Sequence, residues 1–216
     1  MVLKFLLEEF NKMLQQYKSD KYGKEILLKD NKHQVMMEWE KPYMEACIDK
    51  LQPKGDVLEI GFGMGYSSTQ IQNHHPKSHT IIEMDPVVMK RLKKWAKDYD
   101  NIIIIEEIWQ QVLNSLGTFD EIFFDDYPLK EPENNFEKKL LSERFFLFLD
   151  MCLYSHTNTN AKFSAYIHNP DGTFKERMLQ HSMVKYKEYS TDIDVSDNCN
   201  YYRDNKGVIP IIQKIK

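Results

Sequence analysis

Residues Asp56 to Ser68 read DVLEIGFGMGYSS. The first five form a short apolar run of β type, and glycines follow at 61, 63 and 65. Glycine accepts backbone angles closed to other residues, so such a loop turns tightly and lets a ligand approach the main chain. Dinucleotide-binding loops complete the pattern G-x-G-x-x-G with a small residue. Tyr66 stands at that position, and Glu59 adds a negative charge two residues before the first glycine. Both features disfavour a pyrophosphate. A ligand with an ammonium and a sulfonium but no phosphate suits the loop better, and S-adenosylmethionine is such a ligand. The plainer alternative is a structural turn with a solvated Glu59.

Upstream of this loop, Leu3, Leu6, Leu7, Phe10, Met13, Leu14 and Tyr17 fall at helical spacing and predict a helix over 3–17. Residues 18–32 read as a loop. A second helix is expected from about His33 to Leu51, bent or restarted at Pro42. Downstream, HTIIEMD (79–85), NIIIIEE (101–107), FDEIFFDDYP (119–128) and KFSAYIHN (162–169) have strand character. Helical stretches alternate with them: one from about Ser67, then 86–99, 108–116, 134–154 and 172–181. MVKYKEYSTDI (183–193) and GVIPIIQKI (207–215) complete the set as a last pair of strands. This alternation predicts an α/β fold, a mainly parallel seven-stranded sheet with helices on both faces. One domain over 1–216 is expected, with a helical N-terminal lid over 1–50 and a Rossmann-like core over 51–216.

Bulk properties narrow the function. A net charge of −4 in 216 residues offers no basic footprint for nucleic acid. The three cysteines, Cys47, Cys152 and Cys199, are widely spaced without a C-x-x-C, which argues against a disulfide framework or zinc site and for a reducing compartment. No apolar run reaches the roughly 20 residues of a membrane span. Glu8 and Glu9 interrupt the apolar start too early for a signal peptide. A cytoplasmic protein with no membrane partner, a monomer or homodimer, is expected.

Ligands of open α/β sheets sit beyond the carboxyl ends of the strands, so the residues there are the site candidates. Glu83 ends the second strand, at the spacing of an acid that accepts hydrogen bonds from ribose. Asp85 suits the N-cap of the next helix. Trp109, after the third strand, packs either on an adenine face or in the core. Asp125 and Asp126 end the fourth strand, where a substrate should meet the cofactor. Paired acids bind a metal, act as a base or hold a cation. No third ligand stands at useful spacing, so no metal ion is expected. His74-His75 reads as a solvated loop.

Four segments resemble the guanidinoacetate N-methyltransferase family of class I methyltransferases: QVMMEWEKPYMEA (34–46), residues 56–85, IWQQV through FDEIFFDDYPLKE (108–131), and CNYYRDNKGVIPIIQKI (199–215). Their order is preserved along almost the whole chain. The resemblance implies that Met36 and Met44 border the cofactor. It implies that Gly61, Gly63 and the loop Met64, Gly65, Tyr66, Ser67, Ser68 and Thr69 wrap its methionine part, with Glu59 nearby. Glu83 would hold the ribose, Trp109 and Gln110 the adenine. Asp125 would touch both cofactor and substrate, and Glu40 would meet the substrate guanidine from the other side. The turn Ile167–Asp171 departs from the family. Backbone amides there help hold a substrate carboxylate, and Pro170, beside Asn169, has no N–H to offer.

A guanidinium is cationic at neutral pH, with a pKa above ~12. Two carboxylates can clamp its planar donors in paired hydrogen bonds. In the implied enzyme Glu40 and Asp125 form this clamp, and Asp125 takes the proton as nitrogen attacks the methyl group. The expected function is therefore S-adenosylmethionine-dependent N-methylation of a small guanidino compound, first guanidinoacetate to form creatine, otherwise a related guanidino acid. Alternatives are an arginine N-methyltransferase, an aminopropyltransferase, and a non-catalytic methyltransferase-like binding protein. The chain length leaves no room for a separate substrate-docking domain, which argues against a protein-arginine methyltransferase.

Overall fold

Glu59 and Glu83 end up buried because the strands that carry them are interior strands of one sheet. The computed structural model of the chain describes residues 15–127, 135–167 and 172–215. Seven strands make this sheet: β4 (Asp56–Ile60), β5 (Ser78–Glu83), β6 (Ile102–Glu106), β7 (Phe119–Phe124), β8 (Thr157–Ala165), β9 (Val184–Asp192) and β10 (Lys206–Lys214). Their order is β6-β5-β4-β7-β8-β10-β9. The first five in this order are parallel, and β10 runs antiparallel to both β8 and β9. Helices α1 (Lys41–Leu51), α2 (Tyr66–Asn73), α3 (Pro86–Trp95), α4 (Trp109–Val112), α5 (Asn135–Ser155) and α6 (Thr173–Gln180) connect or flank the strands.

Successive strand residues point to opposite faces, and the apolar runs feed two cores. Val57, Ile81 and Phe123 pack with Tyr43, Met44 and Ile48 of α1, Ile71 of α2 and Leu92 of α3. Leu58, Ile82 and Phe124 pack with Phe148 and Cys152 of α5 and Met178 of α6. A strand buried on both faces reads as a continuous apolar run, which explains EIFF in β7; IIIIE forms the edge strand β6, where Ile103 is exposed. The three cysteines are buried and free. Among the described residues, no helix is long and apolar enough to cross a membrane.

Upstream of the core the structure departs from the helix–loop–helix expected over 3–51. Residues 1–14 lie outside the described region. From Gln15 the chain forms an antiparallel meander, β1 (Gln15–Ser19), β2 (Glu25–Lys29) and β3 (His33–Met37). The helical spacing of Tyr17 and the helix expected from His33 are therefore corrected to strands. Asp30 and Asn31, both at positive φ, make the turn between β2 and β3. Asp and Asn tolerate that conformation and favour hairpins, a signal stronger here than the apolar spacing. Pro42 restarts the chain as a helix. It sits in the first turn of α1, where its missing N–H breaks no helical hydrogen bond. Asp85 caps α3, its side chain accepting from the amides of Val87 and Val88.

Candidate active site

A cavity of about 470 Å³ opens beyond the carboxyl ends of the parallel strands. Ile60, Gly61 and Gly63 follow β4 into it, Glu83, Met84 and Asp85 follow β5, Glu107 to Gln110 follow β6, and Asp125 to Tyr127 follow β7. Tyr166, just after β8, and Tyr201 close one side, while Lys29, Gln34, Val35 and Met36 of the meander lie across it. β4 has β5 on one side and β7 on the other, so the cavity stands where the winding of the sheet reverses, the usual ligand crevice of such folds.

The glycines are there for space. Gly61 has φ +84°, and a Cβ on it would lie 2.2 Å from the carbonyl oxygen of Asp125. A Cβ on Gly63, at φ +51°, would come within 3.0 Å of the Met36 sulfur. Glu83 is fixed by three backbone amides, accepting from Phe62 at 3.0 Å and from Met84 and Asp85 at 2.7 Å each. Burial raises its pKa more than those hydrogen bonds lower it.

Glu40 and Asp125 enter the same cavity from different elements. Glu40 ends a 3-10 turn over Glu38–Glu40. It accepts from the Met37 amide at 2.7 Å and from the Tyr201 hydroxyl. Burial pushes its pKa up to about 7 against the pull of those donors. Asp125 is anchored by its own amide, which donates to the Ile60 carbonyl at 3.0 Å. Its carboxyl is raised well above the usual range by burial, then by the neighbouring charges of Glu40, Glu59, Asp126 and Glu83. Asp126 is neutralised: it accepts from Trp109 Nε1 at 2.7 Å and pairs with Arg144 of α5.

Of the sequence-predicted residues, Met36, Glu40, Gly61, Gly63, Glu83, Trp109, Gln110 and Asp125 line the cavity. Met44, Glu59, Met64, Gly65, Tyr66, Ser67, Ser68 and Thr69 do not line it. Met64 touches the lining through its amide, which donates to the Met36 sulfur at 3.3 Å. Met44 belongs to the α1 core. Glu59 is wholly buried behind the glycine turn, accepting from Ser68 Oγ at 2.5 Å and facing His79 Nε2 at 3.0 Å. Trp109 serves both readings made of it, lining the cavity while packing edge-on against Phe148. Asn169 and Pro170, with the altered turn around them, lie outside the described residues. Residue-by-residue reasoning missed Arg144, Lys29, Tyr166 and Tyr201. The strand-end rule itself flags Tyr166, whereas nothing local pairs Arg144 with Asp126.

The lining suits S-adenosylmethionine. Among the described lining residues, six carboxyl groups (Glu40, Glu83, Asp85, Glu107, Asp125, Asp126) outnumber two cations, Lys29 and Arg144, and Arg144 is paired with Asp126. Bare backbone at Gly61 and Gly63, an immobilised acceptor at Glu83 and the apolar wall of Ile108 and Trp109 match a cationic adenosine compound rather than a phosphate.

Sheet order, glycine turn and acid-lined crevice define a class I S-adenosylmethionine-dependent methyltransferase. Residues 8–146 match the family described as guanidinoacetate N-methyltransferase, and the chain belongs to that family. Protein arginine N-methyltransferase 2 of Candida glabrata is 33% identical over 210 residues, 91% of this chain and 47% of that protein. The Saccharomyces cerevisiae protein of the same name is 39% identical over 118 residues, 51% of this chain and 27% of that protein. The chain thus spans about half, or less, of the length of these curated relatives. Among solved structures, spermidine synthase from Thermotoga maritima superposes with a TM-score of 0.62 at 17% identity, covering 93% of this chain and 69% of that one. The O-methyltransferase TomG from Streptomyces achromogenes, solved with S-adenosylmethionine, gives 0.54 at 14% identity, covering 82% and 80%. At such identities the likeness concerns the fold alone.

Proposed function

We propose that the chain is an N-methyltransferase whose acceptor is the guanidino group of an arginine side chain in a protein or peptide. The observation that carries this reading is the pair Glu40 and Asp125, two carboxyls on separate elements, the first buried and the second largely so, that line one cavity. A guanidinium with its fork of donors is the cation best matched to two carboxylates. The balance of six lining acids to two cations suits an acceptor that brings positive charge and no carboxylate of its own. The similarity to two proteins named protein arginine N-methyltransferase 2 supports the same choice. Guanidinoacetate, or another free guanidino acid, is the second reading, favoured by the family description.

S-adenosylmethionine, when bound, supplies an electrophilic methyl group whose bonding pair stays with sulfur on transfer. Glu40 and Asp125 orient the guanidino plane so that one nitrogen faces that methyl. Orientation of this kind contributes up to about 7–11 kcal/mol to a reaction of two molecules. The nitrogen sheds one proton as the N–C bond forms, and the Asp125 carboxylate accepts it. General-base help adds a smaller factor, on the order of 10²–10⁴. The decisive assay is transfer of labelled methyl from S-adenosylmethionine to arginine-containing peptides, free arginine, guanidinoacetate and simple amines, with Glu40→Gln and Asp125→Asn beside the wild type. Labelling of amines alone, or equal rates in all three proteins, would overturn the reading.

A further inference from the structure

Tyr166 has no role in the mechanism above, yet its hydroxyl stands in the same place as the two carboxyls. It follows the last residue of β8, and its amide donates to the Phe124 carbonyl at 3.1 Å. Tyr166 and Asp125 are therefore neighbours at the ends of adjacent parallel strands, in register through Phe124 and Ala165. The Tyr166 ring is wedged against Tyr43 and Tyr202, with centroids 5.5 and 6.4 Å away. Its hydroxyl oxygen is shut from solvent and completes no hydrogen bond of good geometry among the described residues. It nevertheless lies close enough to Glu40 to favour that group's ionised form. Tyr201, on the other hand, already spends its proton on Glu40. So the two tyrosines differ: one holds the carboxylate, and the other keeps its lone pairs unused beside it.

A buried hydroxyl whose lone pairs meet no donor is costly and calls for an explanation. An incoming ligand explains it. An alkylguanidinium carries five N–H donors in one plane. Two carboxylates in paired bonds engage at most four of them, and the fifth needs an acceptor close to both. A phenol oxygen that leans its proton toward Glu40 offers its lone pairs to that N–H. An ammonium has only three donors, arranged in a pyramid, so it gives these acceptors at most three single bonds, without the paired in-plane bonds of the guanidinium's five donors.

We propose that the Tyr166 hydroxyl is a third ligand of the acceptor's guanidino group, selecting planar guanidines over amines. This deepens the acceptor reading above and rests on it. The test replaces one oxygen: Tyr166→Phe in the full chain, assayed with labelled S-adenosylmethionine and an arginine-containing peptide or guanidinoacetate, whichever the wild type methylates faster. Loss of a hydrogen bond to a charged group predicts a fall in kcat/KM for the acceptor of about 10- to 100-fold. Cofactor Kd should stay within about twofold, and Tm should be unchanged or higher because a buried hydroxyl that completes no hydrogen bond of good geometry is gone. Wild-type turnover with an undiminished Tyr166→Phe rate would overturn this proposal alone. A parallel loss of Tm and cofactor affinity would also overturn it, showing a packing role instead. A wild type that binds cofactor but methylates no guanidine would overturn the acceptor reading and this proposal together.

Discussion

The hydroxyl of Tyr17 donates to the carbonyl of Gly63 at 2.5 Å, tying the first strand of the meander to the glycine turn 46 residues away. The Arg91 guanidinium covers the same ring at 4.5 Å and forks onto Glu25 of β2 at 2.7 and 3.1 Å. The Gln15 amide adds a third tie, to Asp85 at 3.1 Å. The meander is thus fastened to the elements that build the cofactor end of the cavity. Tyr17→Phe should weaken cofactor binding about 5-fold, the equivalent of one neutral hydrogen bond of ~1 kcal/mol. Titration calorimetry with S-adenosylmethionine checks this, and unchanged affinity would show that the tie does not support the turn.

Gly61→Ala should be severely destabilising. The φ of +84° costs a side chain about 1–2 kcal/mol, and the new Cβ would meet the Asp125 carbonyl at 2.2 Å. Relief requires moving Asp125 itself, so methyl transfer should fall along with Tm. Gly117→Ala is the control: nothing lies within 4 Å of its added Cβ, and its Tm should stay near that of the wild type.

Glu40 makes ligand-free stability fall as pH rises. Its folded pKa, about 7, lies above the ordinary 4.5. Across that window the folded chain holds a proton that the unfolded chain has lost. This contribution is complete below pH 4.5 and is lost as pH climbs through 7. Glu40→Gln, which never ionises, should therefore be more stable than the wild type at pH 8, by about 3 kcal/mol, because each tenfold change in a proton-binding constant is worth ~1.4 kcal/mol. The gap should narrow at pH 5. Tm measured across this range without ligand is the check.

The same ionisation governs the acceptor. A guanidinium needs Glu40 charged, so its binding should release a proton from the clamp, and KM for the acceptor should rise as pH falls below about 7. Calorimetric titrations in two buffers of different ionisation enthalpy read the released proton directly. An enthalpy independent of buffer would contradict the ionisation argued here.

Arg144→Met should cost more than a surface ion pair, about 2–4 kcal/mol, because it strands Asp126 in a largely buried place. The double variant Asp126→Asn/Arg144→Met should recover a good part of that loss. Trp109 fluorescence, sensitive to its bond with Asp126, and urea melts of both variants beside the wild type separate the contributions.

The core was largely legible because it is built from local signals. Apolar runs of five or six residues, capped by Asp85 and punctuated by glycines, specify strand, turn and helix without outside help. Position at a strand end was enough to nominate Glu83 and Asp125. The meander was misread because the apolar spacing carried on to Tyr17 and the helix expected from His33 were weighed above the Asp30-Asn31 hairpin signal, although from Lys41 to Leu51 the expected helix is present. Glu40 was reached through family resemblance, since as a lone acid before Lys41-Pro42 it looks like an exposed helix residue.

The sequence thus specified a doubly wound sheet, a glycine turn suited to a cationic cofactor, and a pair of acids after the fourth strand. Which charges are free and which are spent was settled only when distant segments met. Arg144 neutralises Asp126 from a helix 18 residues on. Tyr201 reaches Glu40 across 161 residues, and Glu59 turns away from the cavity toward Ser68 and His79. Hydrogen bonds and ion pairs act over a few ångströms in space with no regard for chain separation, so periodicity and spacing carry no record of them.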